Sequence, residues 1–314
     1  MTAGKLLRGA LGLGVFCAFW EIAPRAGWID AQFTPPLSKV LRAVFTLLAD
    51  GTLVPHLEVS LWRAAAGLVI AAAVAVPAGL ALGAAGERVN RAIEPLLRVF
   101  GQVNPFSLMP LFLLFFGLGE VAHVAVMAWV SLWPILRHTV GGVRSVDTAI
   151  LRSARSMGVR GPAWLFGVLL PAAAHAIFTG VRAGGGLLFF MLIGAEMIGA
   201  GAGLGWFLHN AAANYQITRI YAAGLLILVC GALLDGALAA FERRVPFRIG
   251  PRGMGAAGLL LTVIVIVTAP AIQAMDRANA QVMTDHPSCH ETHNQPEPTP
   301  DDLERLSKEF TGGH

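Results

Sequence analysis

Between Ala64 and Ala84 the chain carries no charged side chain and is built mainly from alanine, glycine and aliphatic residues. Wound as an α-helix, such a stretch rises about 30 Å, which is the thickness of a bilayer's hydrocarbon core. Similar apolar runs recur at 6–22, 99–117, 121–136, 174–196 and 220–240. Only 13% of the residues are charged and 55% are hydrophobic, whereas soluble domains carry roughly 25% charged residues. The fold class expected is therefore an all-α polytopic membrane protein, with six spans inside residues 1–252. The run at 253–274 is long enough for an additional transmembrane helix.

The segment 6–22, behind Lys5 and Arg8, has the outline of a signal peptide, but no clean small-residue cleavage site follows it. It is read as a retained first span. The formal charge of +4 does not indicate nucleic-acid binding, because the basic residues occupy short segments between spans. They cluster at 5–8, 88–98, 137–160 and 243–252, while 117–120 and 197–216 contain no Lys or Arg; Lys39 and Arg42 are the exceptions in the first outside loop. That asymmetry predicts a cytoplasmic N-terminus. A seventh span would then place the C-terminus in the periplasm.

Local signals subdivide the loops. A Thr34-Pro35-Pro36 turn precedes a short helix at 38–48, for which Ser38 is the expected cap. Residues 53–63 read as a surface helix running into the second span, and Gly117 to Glu120 as a very short turn. Pro77 and the many small residues of the second span imply close packing against other helices. Span three contains Asn104-Pro105 and Met109-Pro110, so its backbone ladder is expected to break where protein or a water-lined path satisfies it. Residues 199–205 and 209–219 read as an outside loop.

The segment from Val143 to Pro171 is the longest basic interruption, with Arg144, Arg152, Arg155 and Arg160 close together. A helix over 149–157 is expected, broken by Gly158 and Gly161-Pro162, then a second helix over 164–170 ended by Pro171. A helix–turn–helix held at a membrane surface has the shape of a docking element.

Few residues carry chemistry. There is no GxxxxGK[ST] phosphate loop and no HExxH pair, so ATP and magnesium, if used, belong to a partner. Gly184-Gly185-Gly186 reads as a helix-packing or hinge feature. Arg182 within span five either lines a path for an anionic solute or reaches the headgroups, and Asp235 is expected to pair with a neighbour or reach the interface. Glu196 is read as interfacial or locally paired, with a gating or partner-contact role as the alternative. Asn104, Pro105 and Pro110 are candidates for pathway geometry, since discontinuous helices recur at transport sites. In the acidic tail at 275–314, His286, Cys289, His290 and His293 form a loose set of ligands suited to zinc or copper, or else a disordered tail with incidental histidines. Cys17 and Cys230 read as packing residues, and no disulfide framework is indicated.

At the central segment the chain resembles the permease subunits of bacterial ABC importers. Their coupling-loop signature runs E-A-A, three residues, G, about nine residues, then I-x-L-P. The matching positions are Arg152-Ser153-Ala154, Gly158 and Val168-Leu169-Leu170-Pro171. Trp20-Glu21, Asn104-Pro105 through Pro110, Phe116 to Glu120, Gly142 to Asp147, Gly194 to Gly199 and Gly203-Leu204-Gly205 are similar to the nitrate, sulfonate and taurine subgroup. The resemblance covers about residues 12–244. It implies an inner-membrane type I permease that pairs with a second permease copy, a cytoplasmic ABC ATPase dimer and a periplasmic solute-binding protein, and that binds no cofactor itself. It also implies that Arg152, Ser153, Ala154, Gly158, Leu170 and Pro171 couple to the ATPase. Arg152 departs from the signature, reversing the usual charge at that position. Two alternatives come from other classes: a membrane scaffold or sensor using its tail for metal or partner binding, and an ion-driven transporter needing no ATPase.

Overall fold

The computed structural model describes residues 3–117, 119–159 and 161–244. The 253–274 run and the tail with His286, Cys289, His290 and His293 lie outside the described residues. Every regular element among those described is helical. Helix α1 (Ala3–Arg25) is followed by α2 (Leu37–Ala49) and α3 (Leu53–Ala84). Next come α4 (Glu87–Phe100), α5 (Pro105–Phe116) and α6 (Glu120–Arg144). Helix α7 (Thr148–Ser156) precedes the single turn α8 (Pro162–Trp164), and α9 (Leu170–Glu196), α10 (Leu204–Ala213) and α11 (Ile217–Arg244) follow.

Among the described residues, three helices are long and apolar enough to cross a membrane: Leu53–Ala84, Gly167–Glu196 and Ile217–Ala240. The pair α4 and α5 forms a fourth crossing if taken together, bent by 86° at its break. The bundle is organised on α6, which lies between α3 and α9. A Cβ on Gly67 would stand 2.4 Å from the Met127 Cβ, and one on Gly79 2.6 Å from the Thr139 Cβ. Both numbers rise together, so α3 and α6 run parallel. A Cβ on Gly180 would meet His138 at 2.7 Å and one on Gly142 would meet Ala176 at 2.5 Å, so α9 runs antiparallel to α6. Backbones this close are typical of membrane-helix packing through small residues. Helix α6 nonetheless buries Glu120, His123 and Ser131, which the interior accepts only where such groups find partners, as Glu120 does in Arg63 and Ser131 in the Gly184 carbonyl. Helix α1 instead exposes Leu11, Val15, Phe16, Phe19 and Ile22, the surface a lipid-facing helix presents.

Several local expectations are corrected. Ser38 does not cap α2; its backbone N–H donates to Glu21 Oε2 at 2.9 Å, and the Trp20 indole donates to the Pro35 carbonyl at 3.2 Å. A carboxylate at the end of α1 thus satisfies an orphan donor of α2. Residues 53–63 do run on into the span, as expected, and form the first third of α3. Span three breaks at Asn104-Pro105 as expected but not at Pro110, which lies inside α5: Asn104 Oδ1 accepts the Phe106 N–H at 3.0 Å and Pro105 occupies the first turn of α5. Asn before Pro is a helix start, since proline's missing N–H is an orphan there anyway. The segment 199–219 is not all loop, because it contains α10.

Pro171 does not end a helix: residues 162–196 are helical without a break. It lies in the first turn of α9, directly after a π-helical stretch at Leu165–Leu169. The widened turn takes up the proline, which can neither donate an N–H nor tolerate the carbonyl four residues back. The helix–turn–helix at 143–171 otherwise follows expectation. Asp147 Oδ1 accepts the Ala149 N–H at 2.8 Å, and Gly158 and Gly161 take φ of 75° and 61° in the break.

Candidate functional site

The most concentrated chemistry among the described residues surrounds Arg63, three turns into α3 and only 1% exposed. Its Nε donates to Glu120 Oε2 at 2.7 Å, and a second guanidinium nitrogen contacts Glu120 Oε1, making a two-pronged pair. Its remaining terminal nitrogen donates to Glu196 Oε1 at 3.0 Å and to the Ala202 carbonyl at 2.7 Å. The planar fork of arginine is what allows two carboxylates and a carbonyl to be held at once.

Glu196, 0% exposed, is held from its other side as well. Ser60 Oγ lies 2.7 and 2.8 Å from its two oxygens, and the Gly205 N–H donates to Oε2 at 2.9 Å. Ser60 Oγ in turn accepts the Leu204 N–H at 2.8 Å, and His56 Nδ1 accepts the Gly203 N–H at 3.2 Å. The opening N–H groups of α10 are therefore capped by side chains from α3 and α9. Gly205 fits because a Cβ there would lie 2.2 Å from the Ile193 carbonyl oxygen. Gly203 sits at φ 126°, and a Cβ on it would strike the Glu196 carboxyl at 2.4 Å. Together these contacts fasten α3, the start of α6, the end of α9 and the start of α10 to one guanidinium.

The opposite end of the bundle carries α7. Ala154 is buried, and Leu151 packs with Trp164 and Leu165 against a cluster of Leu80, Val143, Leu169, Leu170, Ala173 and Ile177. That cluster joins the last turns of α3 and α6 to the first turn of α9. Arg152 and Ser153 are exposed on α7, beside Ile150 and Met157, which are 51% and 74% exposed. One side of a short helix grips the bundle while the other offers apolar knobs and a cation.

Residues 75–246, more than half of the chain, match the family described as binding-protein-dependent transport system inner membrane component. The chain belongs to that family. It is a permease subunit of an ABC-type importer for a small solute, a multi-pass membrane transport protein rather than an enzyme. The Escherichia coli (strain K12) permease SsuC, named for aliphatic sulfonates, is 34% identical over 228 residues, covering 72% of this chain and 86% of that one. The taurine transport system permease protein TauC of the same strain is 30% identical over 239 residues, 74% and 86% of the two chains. The nitrate import permease protein NrtB of Synechocystis sp. is 27% identical over 250 residues, 77% and 90%. Among solved structures, an inward-facing MetNI methionine ABC transporter matches with a TM-score of 0.55 at 18% identity, over 61% of this chain and 94% of that one. That likeness speaks to the fold, the type I permease architecture.

The permease brings together only some of the residues that its sequence singles out. Glu196 lies at the centre of the buried cluster, whereas Arg182 makes a two-pronged pair with Asp235 at 2.9 and 3.0 Å and lies 3.5 Å from Glu242. Asn104 and Pro105 form the start of α5, and Pro110 lies inside it next to the fully buried Met109. Phe106, just past that start, packs so tightly on α9 that a Cβ on Gly194 would stand 1.7 Å from its ring. Arg63, Glu120 and Ser60 were not singled out. The available signal was a lone arginine followed by twenty-three uncharged positions, with two solitary glutamates at the ends of other spans. A buried charge requires partners. Among the described residues, no group of three or more His, Cys, Asp and Glu is placed to hold a metal.

Proposed function

We propose that this permease imports a small anion, of the nitrate, sulfonate or taurine kind, and couples to a separate cytoplasmic ABC ATPase dimer through the loop at 143–171. The observation that carries the reading is the two-sided placement of α7. Its Arg152–Ser153 side, with Ile150 and Met157, is open for docking, while Leu151 and Ala154 rest on the junction of α3, α6 and α9. A push on α7 therefore reaches the three central helices directly. Gly158, at φ 75°, provides the sharp exit from α7, and Leu170 and Pro171 anchor the return into α9.

In this reading two permease copies form the membrane unit, with the N-terminus in the cytoplasm of a bacterial inner membrane. A periplasmic binding protein delivers solute to the end where Arg63, Glu120 and Glu196 meet. The buried cluster keeps the outer ends of α3, α6, α9 and α10 moving as one body, so that coupling at α7 is transmitted rather than dissipated. Asn104 and Pro105, at the α4–α5 break, shape the route between the two ends. The nitrate, sulfonate and taurine relatives support the solute class.

Co-purification of the chain with an ATPase whose activity rises on adding a binding protein tests the assignment; absence of any ATPase in the complex would turn the reading toward a membrane scaffold. Within a working complex, Arg152→Glu is expected to change ATPase association or transport, since a reversed interface charge alters pairing. Unchanged values for both would show that Arg152 does not sit at the interface.

A further inference from the structure

A trough runs along α6 on the side facing the α4–α5 break. Along α6 and its C-cap, Trp129, Trp133, Arg137, Gly141 and Ser145 line it at four-residue spacing, flanked by Pro134, His138 and Gly142 and, toward Glu94, by Val140 and Arg144. Residues at this spacing share one face of a helix. The row covers about 24 Å of helix axis. Three adjoining hollows of about 600, 430 and 320 Å³ make up the trough, with Gly101 and Gln102 of the break shared between them.

The two ends differ in chemistry. At one end Phe100 stacks on Trp133 with ring centroids 5.5 Å apart, and Trp129 meets Trp133 at 5.0 Å. At the other, Arg98, Arg137 and Arg144 face one carboxylate, Glu94, which is itself paired with Arg98 at 2.6 Å. Arg137 and Arg144 make no hydrogen bond or ion pair with a described residue. No acidic residue lines the two larger hollows, where His138 adds a further polar group. Two cations without a hydrogen-bonded counter-ion, beside an aromatic wall, match a solute with an anionic head and a short apolar body.

We infer that this trough is a solute-contact site for small organic anions such as alkanesulfonates, with Arg137 holding the anionic head and Trp133 the apolar part. The inference rests on the reading of the chain as an importer permease for small anions and adds the residues that meet the solute inside it. Gly141 offers a reporter position, since a side chain there would meet nothing within 4 Å.

The test uses full-length permease in membranes, with Cys17, Cys230 and Cys289 replaced by alanine and Gly141→Cys introduced. Labelling rates are measured with sulfonatoethyl methanethiosulfonate and with its trimethylammonioethyl counterpart, each normalised to a free thiol in solution. The anionic reagent is expected to be favoured about tenfold, and Arg137→Gln in the same background should remove most of that preference while Arg137→Lys retains it. A normalised ratio of one, a preference for the cation, or no labelling by either reagent because a second copy seals the trough would overturn the site. Uptake of taurine and of nitrate by the assembled importer is measured in parallel. Anion-selective labelling without uptake of either would break the importer reading for these anions and leave the site standing. Uptake with a ratio of one would do the reverse.

Discussion

Arg63 and Arg182 each face two carboxylates, yet their surroundings differ almost completely. Arg63, Glu120 and Glu196 are 1%, 8% and 0% exposed, whereas Arg182, Asp235 and Glu242 are 40%, 52% and 16% exposed. The first cluster joins segments from four helices and is bound on every side by backbone N–H groups, a carbonyl and a hydroxyl. The second joins only α9 and α11, with Thr179 donating to Glu242 at 2.9 Å. Ion-pair geometry alone therefore says little about consequence. Desolvation makes the Arg63 cluster intolerant of losing a member, because each remaining charge has no water to return to. The Arg182 cluster can be rehydrated or re-paired.

That contrast predicts a graded series in detergent-solubilised permease. Arg63→Met leaves two buried carboxylates facing each other, and the loss is expected at about 3–5 kcal/mol, seen as aggregation on size exclusion or a large drop in thermal midpoint. A midpoint within error of the parent would break the comparison outright. Arg63→Lys should rescue only in part, since a single ammonium cannot replace the fork that spans Glu120, Glu196 and the Ala202 carbonyl. Glu196→Gln keeps shape but puts an amide NH2 where one acceptor oxygen faces the donors Arg63, Ser60 and the Gly205 N–H, for about 1–3 kcal/mol. Ser60→Ala, which deprives the Leu204 N–H and the Glu196 carboxylate of one partner, is expected at about 1 kcal/mol. Smallest of all is Arg182→Gln, whose midpoint should match the parent. If it falls as far as Arg63→Met, then Arg182 is enclosed in the assembled permease by something other than this single chain.

The two clusters also differ in how readable they were. Arg182 and Asp235 stand out as charges inside apolar runs, and their pairing follows from any close approach of spans five and six. Arg63 hides at the boundary between a polar-looking stretch and an apolar one, so it reads as the end of a surface helix. Glu120 hides in a glycine turn. Proline carried similar ambiguity: local sequence alone does not say whether the chain leaves a helix at Asn104-Pro105 or at Pro171, enters one, or continues one. It enters one at Asn104-Pro105 and continues one at Pro171. Asn104 accepts the Phe106 N–H, and a π-turn precedes Pro171.

The sequence by itself determined that this is a multi-pass membrane permease with a basic helix–turn–helix between spans. Apolar length, basic segments and the coupling-loop signature are local properties, each complete within a few tens of residues. Which charges meet was decided only by tertiary structure. Arg63 finds its carboxylates 57 and 133 residues away. They coincide because α3 runs parallel to α6 and antiparallel to α9, at backbone distances that glycine alone permits. Register at those contacts is a property of three helices at once, and no window of one helix contains it.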